Sequence, residues 1–498
     1  MAANLFDRLV SDHEYVQRVR RHRPSALLPV VAAASALWKD SSYWNSPYMK
    51  YTPWALAETA RVSLAYGNEH RGDGSCTEED LLRILAAYSQ LTDMMIRDNG
   101  TYEAVSGFML RMSGQQLTYQ GATYNALART AALFEQTQVK SPLRCMTAGW
   151  ANELLGCSLS EYVGVTMLLQ VAAYQNAGRF DLAWLDQPQF REICAVIPAG
   201  TIRRVVETHF VVDQPAFKAT NEERRISRDP HLRRFEYNPL HGQPFIHGFG
   251  PGYLAPNSHL IVPKGSPLGL FYMGVSRYGN AFAEDLGHLF EQYIGRNLRQ
   301  MPHATVHAEV LYNRDNRRSV DWIVAMDDLT LLVEVKSTRP TQPMRLGILE
   351  RTSAVQKQLT HAYEQIDTTA ALIKEGHPDF SHIPRERPLQ GLVVTLEAFH
   401  TANANFQREQ HPETDTFVTV CSAEEIEHLV TVEDRAVDQL LLERQADVHQ
   451  STYSLSQMLV GRRLGRNQVL DAGWQSYPWN RHAQLNGRAA MDHGNSPQ

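Results

Sequence analysis

The sequence predicts an α/β domain joined to a large, mainly α-helical N-terminal region. Three observations lead to this prediction. Helical spacing of apolar residues dominates residues 1–200, a β-hairpin pattern occupies residues 319–337, and helical and strand patterns alternate around that hairpin over about 280–400. A chain of 498 residues is long enough for two or three domains.

We predict three regions from these patterns. A mainly helical region covers residues 1–255, the α/β domain covers 256–425, and a helical C-terminal extension covers 426–498. The last stretch, 486–498, is small and polar, which favours a disordered tail. A helical N-terminal region of this kind is typical of recognition, regulation or oligomerisation, so a homo-oligomer and a partner protein are both considered.

Two stretches carry the clearest helix signals in the N-terminal region. Thr77 is followed by three acidic residues and the run LLRILAAYSQL, which predicts a helix N-cap, an acidic first turn and an apolar stripe. Residues 162–177 are apolar enough to form a buried helix. Further along, residues 259–262 and 269–275 are predicted as strands or extended segments.

Arginines are in excess between residues 200 and 265. Pairs occur at Arg203–Arg204, Arg224–Arg225 and Arg233–Arg234, mixed with acidic residues. They could bind phosphates, or they could lie on a solvated helix face with alternating charge. The sequence leaves both interpretations open.

The hairpin pattern brings charged residues together beside apolar ones. Two β-branched, apolar runs, 320–326 and 329–335, flank the polar pair Asp327–Asp328. A two-residue turn at that pair places Asp321 opposite Glu334, and the two-residue period of a strand places Lys336 on the same face as Glu334. Charged side chains next to apolar residues usually pair or bind a metal.

The elements around the hairpin follow a regular order. Apolar residues predict a helix over 281–300, and alternation of Val306, Ala308 and Val310 with His307 and Glu309 predicts a strand over 305–311. Beyond the hairpin we predict a helix over 353–374, a buried strand over 391–399, and a further strand over 417–420 that ends at a helix cap on Ser422.

An Asp followed by Glu-x-Lys on the next strand resembles the PD-(D/E)xK nuclease superfamily, which has the restriction-endonuclease-like fold. The resemblance covers residues 280–400, although Val320 stands where that family often has a proline. It implies an αβββαβ nuclease core with a mixed sheet flanked by helices.

The resemblance also implies a metal site and roles for its residues. Asp321 and Glu334 would hold Mg²⁺, for which Mn²⁺ can substitute, with the carbonyl of Val335 as an extra ligand. Glu291, on the preceding helix, would be an additional metal or water ligand. Lys336 would orient or deprotonate the attacking water, and Gln358 would lie near the site on the later helix.

Some neighbouring residues have two interpretations. His288 lies one helical turn before Glu291 and could join the site, although an exposed histidine is the more common case. Arg314, Arg317 and Arg318 precede Asp321 and could contact phosphates, or they could belong to a polar turn.

The predicted function is Mg²⁺-dependent hydrolysis of phosphodiester bonds in nucleic acid, with DNA favoured over RNA and host defence suggested by the resemblance alone. The alternative is an inactive nuclease-like scaffold whose helical region binds protein or nucleic acid. A net charge of −6 gives no global basic field for nucleic acid, so binding would depend on local patches.

Other classes of protein are excluded by missing motifs. The sequence contains no Walker A motif, no HExxH and no GxSxG. Five scattered cysteines favour reduced thiols in a cytoplasmic protein. The longest apolar run, 26–38, is too short to span a bilayer, so no membrane partner is expected.

Overall fold

A computed structural model describes residues 9–37, 49–70, 72–93, 101–119, 123–348 and 353–480. The chain forms two compact units. The first unit comprises Met1–Ala131, Thr147–Met273 and Trp474–Gln498, and the second comprises Ala132–Met146 and Gly274–Gly473. These limits differ from those of the predicted domains, because each unit includes a segment that is distant in sequence. The predicted tail at 486–498 lies outside the described residues.

The described chain is mixed α/β, and helices dominate its N-terminal half. The helices are α1 Asp12–Arg20, α2 Pro24–Ala36, α3 Pro53–Tyr66, α4 Glu78–Ser89, α5 Tyr102–Gln116, α6 Thr123–Phe134, α7 Trp150–Leu155, α8 Leu159–Gln175, α9 Arg191–Val196, α10 Ala199–His209, α11 Gln214–Glu223, α12 Val262–Gly265, α13 Pro267–Tyr278, α14 Asn280–Leu298, α15 Gln342–Arg345, α16 Ser353–Glu375, α17 Asn405–Arg408, α18 Ala423–Leu429, α19 Val437–Ala446, α20 Leu455–Leu459 and α21 Gln468–Ser476. The strands are β1 Arg179–Phe180, β2 Val211–Val212, β3 Phe245–His247, β4 Tyr253–Leu254, β5 Thr305–Ala308, β6 Leu311–Tyr312, β7 Arg317–Arg318, β8 Trp322–Ala325, β9 Thr330–Lys336, β10 Leu389–Thr395 and β11 Phe417–Ser422. Within the described residues, no helix combines the length and apolar composition needed to cross a bilayer.

The first unit is built around α3, which is buried along most of its length. Helices α1, α2, α4 and α11 pack against it, and the core includes Leu27, Leu56 and Leu81. The predicted start of α4 is confirmed, because Thr77 and Asp80 form a reciprocal capping box. A small sheet of order β1-β4-β3-β2 also belongs to this unit.

Arg233 fits neither interpretation of the arginine-rich stretch. Its side chain is buried in the first unit, donates to Asp12 at 2.7 Å and also pairs with Glu58. Glu58 in turn accepts from Arg61 on the same helix at 2.8 Å. A buried charge is stable only when paired, so Arg233 is a core residue rather than a phosphate ligand or a solvated charge.

The strands predicted at 259–262 and 269–275 are wrong. The chain instead forms a 3₁₀ turn over Ser258–Leu260, followed by α12 and α13. The physical reason lies in the residues at the helix starts. Asn257 caps the 3₁₀ turn through its side chain, and Pro263 and Pro267 occupy first-turn positions, where proline favours a helix and needs no N–H partner.

The second unit contains a five-stranded mixed sheet of order β11-β10-β9-β8-β5. Strands β5, β8 and β9 pair antiparallel, whereas β9, β10 and β11 pair parallel. The predicted hairpin is confirmed in its register: Trp322 pairs with Val333, and the Met326 N–H donates to the Leu329 carbonyl at 2.9 Å across the two-residue turn.

The elements that flank the hairpin follow the predicted order. Helix α14, strands β5, β8 and β9, helix α16 and strand β10 succeed one another, with β6, β7 and α15 interposed. The predicted strand 305–311 is interrupted after Ala308, because Leu311 and Tyr312 leave the sheet to pair with Arg317 and Arg318 in a separate hairpin. The predicted strand 391–399 ends earlier, at Thr395. The Ser422 cap of α18 is confirmed as a capping box.

Two glycines allow the helices to lie close to the sheet. A Cβ on Gly295 of α14 would lie 2.2 Å from the Trp322 ring, and a Cβ on Gly391 of β10 would lie 2.6 Å from the Ile366 side chain of α16. Interiors are packed too tightly to accept such contacts, so both positions require glycine. This packing places α14 and α16 beside the open end of the hairpin.

Candidate active site

Asp321 lies where the two strands of the hairpin separate. The ladder between β8 and β9 begins at Trp322, so Asp321 is the first residue outside it. Its Oδ2 accepts the N–H of Val335 at 2.7 Å. A side-chain carboxylate thus takes the place of a ladder carbonyl, and this bond holds the Asp321 carboxylate against β9.

Glu334 is the most buried acid of the site, with only 2% of its surface exposed. Its Oε1 accepts from Lys336 Nζ at 2.5 Å, while Oε2 is buried and has no hydrogen-bond partner among the described residues. An unsatisfied buried polar atom costs about 1–3 kcal/mol. A bound cation would remove this cost.

Lys336 has two partners. Besides Glu334, its Nζ donates to Oε1 of Gln365 on α16 at 3.1 Å. The Lys336 side chain is 21% exposed, so its ammonium group lies at the boundary between the buried acids and solvent. This position suits a group that acts on a substrate arriving from solvent.

Glu291 reaches the same region from α14. The Glu291 backbone carbonyl accepts the indole N–H of Trp322 at 3.0 Å, which anchors the helix to the start of β8. The Glu291 side chain accepts from Gln292 at 2.8 Å. Burial raises the pKa of Glu291, and the charges of Glu309 and Glu334 raise it further.

Burial also raises the pKa of Asp321 and the pKa of Glu334. The neighbouring charges of Glu291 and Glu309 add to the rise at Asp321, while Lys336 opposes it. For Glu334 the largest added effect is the charge of Asp321. Three acids whose pKa values are raised by burial, Glu291, Asp321 and Glu334, therefore lie near one lysine, with the charge of Glu309 nearby, and a cation would stabilise the ionised acids.

Glu309 and Gln365 were not found from the sequence. Glu309 follows β5, and in the sequence it is only a polar residue of an alternating strand. In the structure its charge raises the pKa of both Asp321 and Glu291. Gln365 lies seven residues after Gln358, on the same side of α16. The seven-residue spacing indicates that both glutamines lie on one side of α16. Their positions along the helix decide which of the two reaches Lys336, and that residue is Gln365.

The remaining predicted residues lie at various distances from this group. Gln358 and His288 are exposed on their helices. Arg318 is exposed and pairs with Glu309 at 3.3 Å, so it borders the site. Arg314 is exposed on the turn between β6 and β7, and Arg317 is exposed on β7, where it pairs with Asp315 at 2.9 Å.

The acids of the site are neighbours but do not form a compact ligand set. Within the described residues, the one group of three metal-ligating side chains whose ligand atoms lie within 4.8 Å of one another is His22, Cys76 and Asp80, in the first unit. At the hairpin, Lys336 covers Oε1 of Glu334 and the Val335 N–H covers Oδ2 of Asp321. A cation would bind through the free oxygens, above all Oε2 of Glu334.

Family models, curated proteins and solved structures provide no match to this chain. The grounds for a functional assignment are then the motif resemblance in the sequence and the chemistry of the site residues. The hairpin site provides carboxylate oxygens, the ammonium group of Lys336, and the buried Oε2 of Glu334, which has no hydrogen-bond partner among the described residues.

Proposed function

We propose that this protein is a metal-dependent nuclease that hydrolyses phosphodiester bonds, with DNA as its substrate in preference to RNA. The single observation that carries the proposal is the buried Oε2 of Glu334. It has no donor among the described residues, and it lies on the same hairpin as Asp321 and Lys336. The preference for DNA rests on the resemblance to the PD-(D/E)xK superfamily.

The donor set fits Mg²⁺ or Mn²⁺. Asp321 and Glu334 offer carboxylate oxygens, and Glu291 and Glu309 add negative charge nearby. Hard divalent cations prefer such oxygens, whereas softer metals prefer nitrogen and sulfur. We assign Asp321 and Glu334 as the principal ligands, with Glu291 and the Val335 carbonyl in supporting roles. When bound, the cation stabilises negative charge on the phosphate and promotes ionisation of water.

Lys336 acts on the attacking water in this proposal. Its Nζ is held at the edge of the acid group by Glu334 and Gln365, at 2.5 and 3.1 Å. With a cation held by Glu334, the ion pair between Lys336 and Glu334 would weaken, and Lys336 would keep its hydrogen bond to Gln365. In its ammonium form Lys336 would orient the water by donating a hydrogen bond to it, and only as the neutral amine would it accept the proton of the water.

The turn between β6 and β7 supplies the positive charge that nucleic acid needs. Arg314 is exposed on this turn, Arg317 and Arg318 are exposed on β7 beside it, and the Arg318–Glu309 pair connects β7 to the acids. An acidic chain must bind phosphates through a local patch of this kind. We assign these arginines to the phosphates that flank the scissile bond.

A second candidate function is a non-catalytic scaffold that keeps the nuclease-like domain for binding. The observation in its favour is that Lys336 and Glu334 form an ion pair within the hairpin through Oε1 of Glu334. In that case the ion pair would be purely structural. Metal affinity separates the two functions, because a scaffold binds Mg²⁺ or Mn²⁺ equally well with and without the Asp321 carboxylate.

The deciding experiment is a cleavage assay on supercoiled plasmid, single-stranded DNA and RNA, with Mg²⁺, Mn²⁺ or EDTA. Asp321→Ala and Lys336→Ala are compared with the exposed controls Asp327→Ala and Lys357→Ala. We expect metal-dependent cleavage that the two site variants abolish and the two controls retain. Cleavage that survives in both site variants would overturn the proposal. So would a silent wild-type chain whose metal affinity is unchanged in Asp321→Ala.

A further inference from the structure

A second group of metal-ligating side chains lies in the first unit. His22 is in the connection between α1 and α2, Cys76 precedes α4, and Asp80 is in the first turn of α4. A ring nitrogen of His22, the Cys76 sulfur and an Asp80 oxygen all lie within 4.8 Å of one another. Bond lengths of roughly 2.0–2.3 Å place the ligands of a tetrahedral zinc ion about 3.3–3.8 Å apart. The three groups therefore need to close by at most about 1.5 Å to share an ion.

The backbone holds these segments together without any metal. His22 and Asp73 form a parallel bridge, in which the Arg23 N–H donates to the Asp73 carbonyl at 3.0 Å and the Asp73 N–H donates to the Arg21 carbonyl at 2.6 Å. Gly72 permits this approach, since its φ is +107° and a Cβ there would lie 2.7 Å from the Arg21 carbonyl oxygen. His22 is thus placed beside the segment that carries Cys76 and Asp80.

The hydrogen bond of His22 selects a tautomer that suits a ligand. Its Nδ1 lies 3.0 Å from the Ser75 carbonyl oxygen. A carbonyl can only accept, so Nδ1 carries the proton and Nε2 keeps its lone pair. Histidines that bind metals commonly donate their other ring N–H to a carbonyl or carboxylate in this way.

Asp80 is held in place through its Oδ2, and its Oδ1 is the oxygen that would bind a cation. Oδ2 accepts from the backbone N–H of Thr77 at 3.0 Å and from the Thr77 hydroxyl at 2.7 Å. Oδ1 faces the guanidinium of Arg83 at 3.2 Å. The Arg83 side chain is 65% exposed, so it can swing into solvent when a cation takes its place.

We propose that His22, Cys76 and Asp80 bind a Zn²⁺ ion, with the fourth position open to water or an external ligand. Mixed nitrogen, sulfur and oxygen ligands suit this borderline-soft ion, and Mg²⁺ avoids thiolate. Binding replaces the thiol proton of Cys76, so one proton leaves for each ion bound, with no change of oxidation state. The ion would fasten the α1–α2 connection to the start of α4. The site is independent of the proposed nuclease function.

The test uses the full chain and Co²⁺ as a spectroscopic substitute for Zn²⁺. Excess Mg²⁺ is present throughout to compete for the carboxylate site. We expect a sulfur-to-cobalt charge-transfer band that saturates at one equivalent and disappears when Zn²⁺ is added. The band should be lost in Cys76→Ser and kept in Cys194→Ser, a half-buried cysteine of the same unit.

A histidine pair provides the second arm. His22→Asn should weaken Co²⁺ binding at least tenfold, whereas His13→Asn, at an exposed position on α1, should leave it unchanged. Asparagine can keep a hydrogen bond to the Ser75 carbonyl, so this variant removes the ligand without removing the tether. Absence of the band in the wild-type chain, or its persistence in Cys76→Ser, would overturn the proposal.

Discussion

The two candidate metal sites of this chain differ in the atoms they offer and in how deeply those atoms are buried. At the hairpin, the ligands are oxygens and Glu334 is 2% exposed. In the first unit, His22, Cys76 and Asp80 offer nitrogen, sulfur and oxygen and are only half-buried. Burial makes the ionised acids costly, so the hairpin site gains most from a cation. The contrast teaches that ligand type selects the metal, while burial sets how strongly the empty site needs one.

The largest expected effect is the loss of cleavage in a hairpin-site variant, compared with a variant of the first-unit site that keeps cleavage and loses cobalt binding. Glu334→Gln should reduce Mg²⁺-dependent cleavage by about 100-fold or more, because it removes a ligand charge and keeps the shape of the side chain. Cys76→Ser should leave cleavage within about twofold of wild type and abolish the cobalt band. Plasmid cleavage rates and Co²⁺ titrations on both variants provide the measurement. If Cys76→Ser lowers cleavage as far as Glu334→Gln, the sites are not independent and the comparison fails.

A packing change should disturb the hairpin site alone. Gly295→Ala places a methyl group 2.2 Å from the Trp322 ring, and should destabilise the second unit by about 1–3 kcal/mol. Gly287→Ala, on the same helix, meets its nearest atom at 3.7 Å and should be neutral or slightly stabilising. Thermal unfolding followed by circular dichroism distinguishes them. Equal melting temperatures for the two variants would show that α14 does not rely on this contact.

The pH dependence of the free energy of unfolding tests how strongly burial affects the acids of the hairpin site. Asp321 has a raised pKa in the folded chain because of burial, with Glu291 and Glu309 raising it further. Without metal, the folded state therefore binds more protons than the unfolded state above the ordinary carboxyl pKa. Stability must then fall as pH rises through that window toward the raised pKa.

Asp321→Asn removes this cost. In EDTA at about pH 8, we expect it to be more stable than wild type by on the order of 1 kcal/mol, with the difference vanishing near pH 4. The exposed turn variant Asp327→Asn is the control and should show no such dependence. Denaturant unfolding across this pH range measures the effect, and a loss of stability in Asp321→Asn at high pH would contradict it.

The smallest expected effect concerns the two glutamines of α16. Gln365→Ala should lower cleavage roughly three- to tenfold, since it removes one hydrogen bond to Lys336. It should also shift the pH–rate profile, which a purely structural change would leave in place. Gln358→Ala, at an exposed position, should behave as wild type. The opposite pattern would favour the glutamine chosen from the sequence.

Local patterns correctly predicted the hairpin of the second unit and a helix cap in each unit. The two-residue period and the Asp327–Asp328 turn were enough to predict the hairpin register. The caps at Thr77 and Ser422 were predicted because capping depends on residues three positions apart. The strands expected at 259–262 and 269–275 failed because the prolines and Asn257 that start helices there outweigh β-type composition.

The sequence by itself determined most elements around the hairpin and the pairing of Asp321 with the Glu334 strand, because these depend on neighbours a few residues apart. Only the tertiary structure decided that Glu309 and Gln365 adjoin the site, and that His22 lies beside Cys76 and Asp80. Those juxtapositions depend on how helices and strands pack. Packing is set by side-chain volumes and close approaches such as those at Gly295 and Gly72, and no local period in the sequence records them.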